Sequence, residues 1–196
     1  MQRTTTSKHL RKAAVVAAAA VMATGCTTNE PTSSKPPATV SATPTPTTAS
    51  PTPENPEEAA KKQAIDTYLS HWKEVEKRYA DKTGKAGDLK KYSAVLAKIQ
   101  VEKDSEDMHR RNLVILGNVT VLNPTVVSAD LDRKVPNVVI SSCLDISRWT
   151  VTNTETGKPA SNLPKNRLLK YVIKATVEKW QQGWVVIEDK PQGKKC

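Results

Sequence analysis

The chain has 196 residues and a formal net charge of +10, from 30 Lys and Arg against 20 Asp and Glu. Aromatic residues make up only 4% of the chain, and the lysines are scattered rather than interleaved with aromatic side chains. The composition therefore does not favour a nucleic-acid-binding surface. The length allows one domain of ordinary size once the N-terminal segments are set aside.

Residues 1–25 have the pattern of a secretory signal peptide. The first twelve residues carry four Lys and Arg side chains and no acidic one, and residues 13–23 form an apolar run of eleven residues. A helix needs about twenty apolar residues to cross a bilayer, so this run is too short for a transmembrane anchor. We therefore predict that residues 1–25 direct export and are then removed.

Cys26 follows the small residues Ala23 and Gly25. Ordinary signal peptidase could cut here, but Gly25-Cys26 also resembles a bacterial lipobox, with Ala23 where such motifs usually have Leu. That resemblance implies a diacylglyceryl thioether, with fatty acids such as palmitate, on the sulfur of Cys26. We predict a lipoprotein anchored at the outer face of the cytoplasmic membrane. The lipid of that membrane is therefore one predicted partner.

Residues 26–55 consist largely of Thr, Ser, Pro and Ala, with almost no large apolar side chain. Such a segment cannot bury enough apolar surface to offset the entropy of ordering, so we predict a disordered linker. Its proline content favours extended backbone, which could place the domain up to about 90 Å from the anchor. Thr-Pro tracts can also carry O-linked sugars, but a plain spacer is the simpler interpretation.

Setting Cys26 aside leaves Cys143 and Cys196. An even pair of cysteines in an exported chain predicts a disulfide. The bridge would close a loop of about fifty residues, worth on the order of 4 kcal/mol. The alternatives are two free thiols or a metal site, but no clustered histidines accompany the cysteines, so we predict no metal.

Residues 56–196 are predicted to form one α+β domain that begins with a long helix. Asn55 provides a cap, Pro56 fits the first helical position, and acidic residues follow where the helix dipole favours them. An amphipathic stripe then predicts one buried face: Ile65, Tyr68, Leu69, Trp72, Val75 and Tyr79. Residues 88–100 predict a second helical segment with four inward residues: Leu89, Tyr92, Leu96 and Ile99.

After residue 111 the sequence becomes rich in β-branched residues separated by turn signals. We predict strands over residues 113–122, 126–131, 138–149, 168–180 and 184–188. In the fourth strand, apolar residues at 169, 171, 173, 175 and 177 alternate with mostly polar ones, so one face is predicted to be buried. The last two strands are predicted to form a hairpin around residues 181–183.

Three motifs carry a resemblance to a known family: "SSCLDISRW" at 141–149, "ATVEKWQQGWVV" at 175–186 and the terminal "GKKC". With the helix-then-strands order, they resemble the NTF2-like, or cystatin-like cone, superfamily, and within it small actinobacterial lipoproteins. The resemblance implies a long N-terminal helix packed in a bent antiparallel sheet that encloses a pocket. It also implies a disulfide between Cys143 and Cys196.

Enzymes of that superfamily place an Asp, often with His or Tyr, inside the cone. The possible pocket residues in this chain are Asp66, Tyr68, His71, Trp72, Asp145 and Tyr171. His109 lies in a charged run and is expected to be solvated. We find no nucleophile elbow, phosphate loop, paired glycosidase signature or metal-ligand cluster in the sequence, so it predicts no catalytic residue, metal or cofactor.

Three functions remain open. The first is a non-enzymatic, lipid-anchored binding module whose partner is an envelope protein, a cell-wall polymer or a small apolar ligand, and not a nucleic acid. The second is a small-molecule enzyme, of the isomerase or dehydratase kind, that uses the cone pocket. The third is a phage-encoded envelope lipoprotein that excludes further infection. The sequence favours the first function, because it needs only the anchor, the spacer and the fold.

Overall fold

The computed structural model describes residues 55–196. The predicted signal peptide, the lipidation site at Cys26 and the predicted linker up to residue 54 lie outside the described residues. In the described part of the chain, no helix is both long enough and apolar enough to span a membrane.

Helix α1 (Pro56–Ala80) begins as the sequence predicts. The Asn55 side chain accepts the Glu57 N–H at 3.0 Å, and Pro56 occupies the first turn. The predicted stripe faces the sheet: Tyr68, Trp72, Val75 and Tyr79 are buried, whereas Ile65 and Leu69 are half-buried. His71 and Ala64 are buried on the same face.

The second helical segment is broken where the sequence predicted one continuous run. It consists of α2 (Leu89–Tyr92) and α3 (Val95–His109). Between them, extended residues bridge to the sheet, because the Ala94 N–H donates to the Val186 carbonyl at 2.9 Å. Leu89 is buried as predicted, but the prediction for Leu96 and Ile99 is wrong, since both are more than half exposed. The break changes the face of α3 that turns inward, so Ala97 and Val101 are buried instead.

Six strands follow the helices: β1 (Leu113–Leu116), β2 (Thr120–Asp130), β3 (Asn137–Asp145), β4 (Thr150–Asn153), β5 (Lys170–Trp180) and β6 (Gly183–Pro191). One antiparallel sheet has the order β2-β3-β5-β6, and β1 pairs with β4 in a second antiparallel sheet. Helices packed against antiparallel sheets confirm the predicted α+β class, and the predicted β5–β6 hairpin is present.

Two predicted strands are divided in the structure. The segment 113–122 splits at Gly117, which has a φ of +99° and lies against the Arg148 carbonyl, where a Cβ atom would overlap. The segment 138–149 ends as β3 at Asp145, and the chain then turns before β4. The sequence prediction passed over both breaks because β-branched residues resume directly after them, at Val119 and Thr150.

The C-terminal tail is tied to the middle of the sheet. Cys143 in β3 and Cys196 form a disulfide, with their Cα atoms 5.8 Å apart, which confirms the predicted pair. The tail also runs beside β5, since the Val172 N–H donates to the Lys194 carbonyl at 2.8 Å.

The hydrophobic core lies between α1 and the inner face of the four-stranded sheet. Its fully buried members come from α1, α2 and strands β3, β5 and β6: Tyr68, Val75, Leu89, Val138, Ile140, Leu144, Val177 and Val186.

Candidate functional site

A cavity of about 440 Å³ opens beside this core, and we call it the α1–α3 pocket. Its walls are formed by α1, α3, β1, the turn after β3, and strands β5 and β6. The lining residues are His71, Trp72, Tyr79, Ala97, Gln100, Val101, Asp104, Asp107, Met108, Arg111, Ile115, Trp149, Tyr171, Ile173, Asp189 and Pro191. The volume lies in the range of small-molecule sites.

Aromatic rings form one side of the α1–α3 pocket. Trp149 packs edge-on against Tyr79, with ring centroids 5.9 Å apart, and lies 6.4 Å from the Trp72 ring. Trp72 and Tyr79 lie seven residues apart on α1, which is two helical turns, so both project towards Trp149. The rings of Trp72, Tyr79 and Trp149 thus pack against one another along one side of the pocket, and we call them the aromatic wall.

A buried polar chain of Ser93, His71 and Asp189 adjoins the aromatic rings, and its last two members line the pocket. His71 is 1% exposed, and its Nδ1 lies 2.6 Å from the Ser93 hydroxyl. Its Nε2 lies 3.4 Å from Oδ2 of Asp189 on β6. Because Nε2 faces a carboxyl group, we assign the ring proton to Nε2, which leaves Nδ1 to accept the Ser93 hydroxyl proton. Both nitrogens of His71 therefore point at protein atoms.

Asp189 is the least satisfied polar group of the pocket. Its side chain is 8% exposed, and neither carboxyl oxygen has a hydrogen bond within residues 55–196. Burial raises the pKa of Asp189, and the nearby His71 opposes that rise only in part. Burial, with the Asp189 charge in second place, also raises the pKa of Tyr171 to about 12, so this phenol stays neutral at physiological pH.

The mouth of the pocket is polar. Asp104 on α3 accepts a hydrogen bond from the Tyr79 hydroxyl at 3.3 Å and one from the Gln100 amide at 2.7 Å. Asp107 and Arg111 lie further along the same rim. The lining thus contains three Asp carboxyl groups and one guanidinium. By contrast, residues 57–196 as a whole contain more basic than acidic side chains, with 25 Lys and Arg against 18 Asp and Glu.

The structure brings together three of the six possible pocket residues: His71, Trp72 and Tyr171 all line the α1–α3 pocket. Tyr68 lies in the core instead, fully buried, and its hydroxyl is 2.9 Å from the Ser142 hydroxyl. Burial raises the pKa of Tyr68 well above its ordinary value, so this hydroxyl is a neutral core group.

The two predicted carboxylates lie outside the pocket. Asp66 is exposed on the outer side of α1, where it pairs with Lys62 at 3.0 Å. Asp145 lies on the face of β3 opposite to the buried Ser142 and Leu144, because side chains alternate along a strand. Hydrogen bonds from Ser147, with Lys170 beside them, lower the pKa of Asp145 to about 2.

The expectation that His109 is solvated is wrong. This residue ends α3 and is half-buried, and its Nε2–H donates to the Asp81 carbonyl at 2.9 Å. Its ring also lies where a Cβ atom of Gly84 would be. His109 therefore fastens the end of α3 to the loop after α1 and takes no part in the α1–α3 pocket.

Sequence reasoning missed Asp189, Asp104 and Trp149 as pocket residues. The predicted last strand ended at residue 188, whereas β6 continues to Pro191 and pairs Asp189 with the inward-facing Ala175. A register shift between Thr176 and Val177 sets this pairing. No local signal in the sequence indicates such a shift, so the inward direction of Asp189 could not be predicted.

A larger groove, of about 730 Å³, lies at the start of α1 near the end of β2. Its rim is mostly exposed, with Glu57, Asp130 and Asp132 among its residues. Within residues 55–196, the buried side-chain atoms without a hydrogen bond belong to Trp72, Ser105 and Asp189, and none of these lines the groove. The α1–α3 pocket is therefore the better candidate site.

Metal ligands do not cluster in the described part of the chain, where no group of three or more His, Cys, Asp or Glu side chains could hold an ion. No model of a known protein family matches the chain, and no curated protein matches it. Among solved structures, the intermembrane space region of the chloroplast protein ARC6 is similar in part. The match covers 67% of this chain and 95% of that chain, with 12% sequence identity and a TM-score of 0.47.

Proposed function

We propose that this protein is a lipid-anchored binding module of the cell envelope, which holds a small ligand in the α1–α3 pocket and catalyses no reaction on it. The observation that carries the proposal is the pocket itself: about 440 Å³, with an aromatic wall and a few polar groups. Cavities with this combination are the usual form of small-ligand sites.

The proposed location follows from the N-terminal sequence. A basic head, an apolar run of eleven residues and Gly25-Cys26 support cleavage before Cys26 and attachment of lipid to its sulfur. A disulfide between Cys143 and Cys196 suits an oxidising compartment outside the cytoplasm. The proposed product is a domain held at the outer face of the cytoplasmic membrane by a Thr/Pro-rich linker.

We further propose that the domain is an NTF2-like cone. A long N-terminal helix lies against a four-stranded antiparallel sheet, as that architecture requires. Register shifts interrupt the β2–β3 pair twice and the β5–β6 pair once. Such irregularities bend strands and increase sheet twist, which would curve the sheet around α1.

Binding is favoured over catalysis by the state of His71. A general base must reach the proton that it abstracts, but His71 is 1% exposed and both of its nitrogens face protein atoms. His71 and Asp189 face each other at 3.4 Å, so the histidine directs no free nitrogen towards a bound molecule.

The second candidate, a small-molecule enzyme of the isomerase or dehydratase kind, rests on Asp189 alone. A buried carboxyl group whose pKa is raised could exchange a proton with a bound molecule. On this alternative, a bound molecule would leave the pocket chemically changed, and the Asp189→Asn variant would bind it without changing it.

The test is to incubate the purified chain with an extract of the host envelope, to re-isolate it, and to measure its mass without denaturation. We expect one small molecule to be retained per chain. Ala97→Phe should remove it, because Ala97 lines the pocket, whereas Leu96→Phe on the exposed face of the same helix should not. Circular dichroism would check that both variants are folded.

Three outcomes would contradict the proposal. Equal retention by Ala97→Phe and the wild type would place the ligand elsewhere, and no retention from any extract would remove the basis for a binding role. A retained molecule whose mass changes on incubation with wild type but not with Asp189→Asn would favour the enzyme.

The anchor is tested separately by fractionation of the host. Wild type should sediment with membranes, and Cys26→Ser should be released or left unprocessed. A mature protein whose intact mass includes no diacylglyceryl group would contradict the proposed lipidation.

A further inference from the structure

The charge of the α1–α3 pocket is opposite to that of the domain around it. Residues 57–196 carry a net charge of +7, yet the pocket lining has Asp104, Asp107 and Asp189 against Arg111. His71 is the remaining titratable lining residue apart from the phenols Tyr79 and Tyr171. Asp107 pairs with Arg110, which is outside the lining, so the acidic excess of the pocket comes from Asp104 and Asp189. An excess of one sign of charge in a concave site concentrates ligands of the opposite sign.

Asp189 gives the pocket a second, independent feature that points to a ligand. Its side chain is more than nine-tenths buried and lines the pocket, and no group in the described part of the chain hydrogen-bonds either of its oxygens. His71 Nε2 approaches Oδ2 only to 3.4 Å, and Oδ1 has no hydrogen-bond partner among the described residues. Buried carboxyl oxygens are normally satisfied, so an acceptor of this kind is suited to a hydrogen-bond donor on a bound molecule.

The aromatic wall fits the same ligand. Trp72, Tyr79 and Trp149 line the pocket beside Asp189, and the faces of such rings attract organic cations. Their apolar surface also suits an alkyl or aryl body. An acidic group, a set of aromatic rings and an apolar cavity together select for an amphiphilic cation over an anion such as a fatty acid.

We propose that the α1–α3 pocket binds an organic amine or ammonium compound with an apolar body, whose cationic group contacts Asp189 and whose body lies against Trp72 and Trp149. This inference rests on the proposed binding function, and it names the chemical class of the ligand. It assigns Asp189 the role of the specificity-determining residue.

The test uses hexylamine, 1-hexanol and hexanoate as probes, which share an alkyl body and differ in charge. The full chain carrying Cys26→Ser would be labelled with ¹⁵N, and its indole N–H signals would be followed during titration. The four tryptophans provide an internal reference, because Trp72 and Trp149 line the pocket while Trp180 and Trp184 do not.

We expect hexylamine to shift the Trp72 and Trp149 signals and to bind about tenfold more tightly than 1-hexanol, as a charge-assisted contact predicts. Hexanoate should bind most weakly. In Asp189→Asn, which keeps the volume of the side chain, hexylamine and 1-hexanol should bind equally. The matched control Asp66→Asn removes an exposed carboxylate outside the α1–α3 pocket and should keep the preference.

Equal binding of hexylamine and 1-hexanol by the wild type, with shifts at Trp72 and Trp149, would overturn this inference and leave the binding function standing. A preference for hexylamine that survives in a folded Asp189→Asn protein would also overturn it. Shifts confined to Trp180 and Trp184, for all three probes, would contradict both the inference and the proposed function. The comparison of hexylamine with 1-hexanol uses only the wild type, so it tests the inference even if Asp189→Asn does not fold.

Discussion

Asp189 carries a buried carboxyl group that receives no hydrogen bond from any residue between 55 and 196. Its pKa is raised by burial, so the folded protein holds this proton at a pH where the unfolded chain has already lost it. The free energy of unfolding therefore decreases as the pH rises from the ordinary range of Asp, near 3.8, through the raised value. The charged form of Asp189 therefore opposes folding, because its carboxylate is buried.

We predict that Asp189→Asn is more stable than the wild type at pH 7, by roughly 1 kcal/mol, because a neutral amide costs less to bury than a carboxylate. The difference should shrink as the pH falls and the wild-type carboxyl group takes up its proton. Urea unfolding at a series of pH values would measure it, with the exposed Asp66→Asn as a control that should not differ from the wild type. A variant that is less stable than the wild type at pH 7, by a margin that shrinks as the pH falls, would show that the Asp189 charge contributes favourably to the fold.

Side chains on regular elements were predictable where the local pattern decides their direction. The stripe at Tyr68, Trp72, Val75 and Tyr79 follows from helical spacing alone, and Asn55 caps α1 as its position indicates. Leu96 and Ile99 were misplaced because the bridge from Ala94 to Val186 is a tertiary contact that no local spacing reveals. The same limit applies to two pocket residues. The position of Asp189 depends on the register shift between β5 and β6, and that of Trp149 depends on the turn between β3 and β4.

The turn between strands β1 and β2 depends on Gly117. Its φ of +99° is unfavourable for any other residue, and a Cβ atom would meet the Arg148 carbonyl next to Trp149 of the aromatic wall.

We predict that Gly117→Ala costs about 3 kcal/mol or more, since strain and overlap act together. The matched control is Gly157→Ala, where φ is also positive, at +68°, but nothing lies within 4 Å of the added atom. That change should cost about 1 kcal/mol. Thermal unfolding of both variants would measure the difference, and equal losses would show that the contact with Arg148 is easily relieved.

The whole domain is closed by the disulfide between Cys143 and Cys196, which are 53 residues apart in sequence. The described tail beyond β6 is mostly exposed, and the bridge is the covalent link that holds its end to β3.

We predict that replacing both cysteines by Ala lowers the free energy of unfolding by about 4 kcal/mol, mainly because the unfolded chain gains freedom. Urea unfolding of the two proteins would measure the loss. A reducing agent should destabilise the wild type by a similar amount and leave the double variant unchanged. An identical response of both proteins to the reducing agent would contradict the role given to this bridge.

Binding of a small ligand in the α1–α3 pocket is tested most directly by a crystal structure of the protein re-isolated from host envelope extract. We expect density for one small molecule between α1 and α3, with its apolar part against Trp72 and Trp149 and a donor group within hydrogen-bond distance of Asp189. A ligand bound in another groove, or a pocket that holds only water in a protein whose mass includes a retained molecule, would contradict the claim.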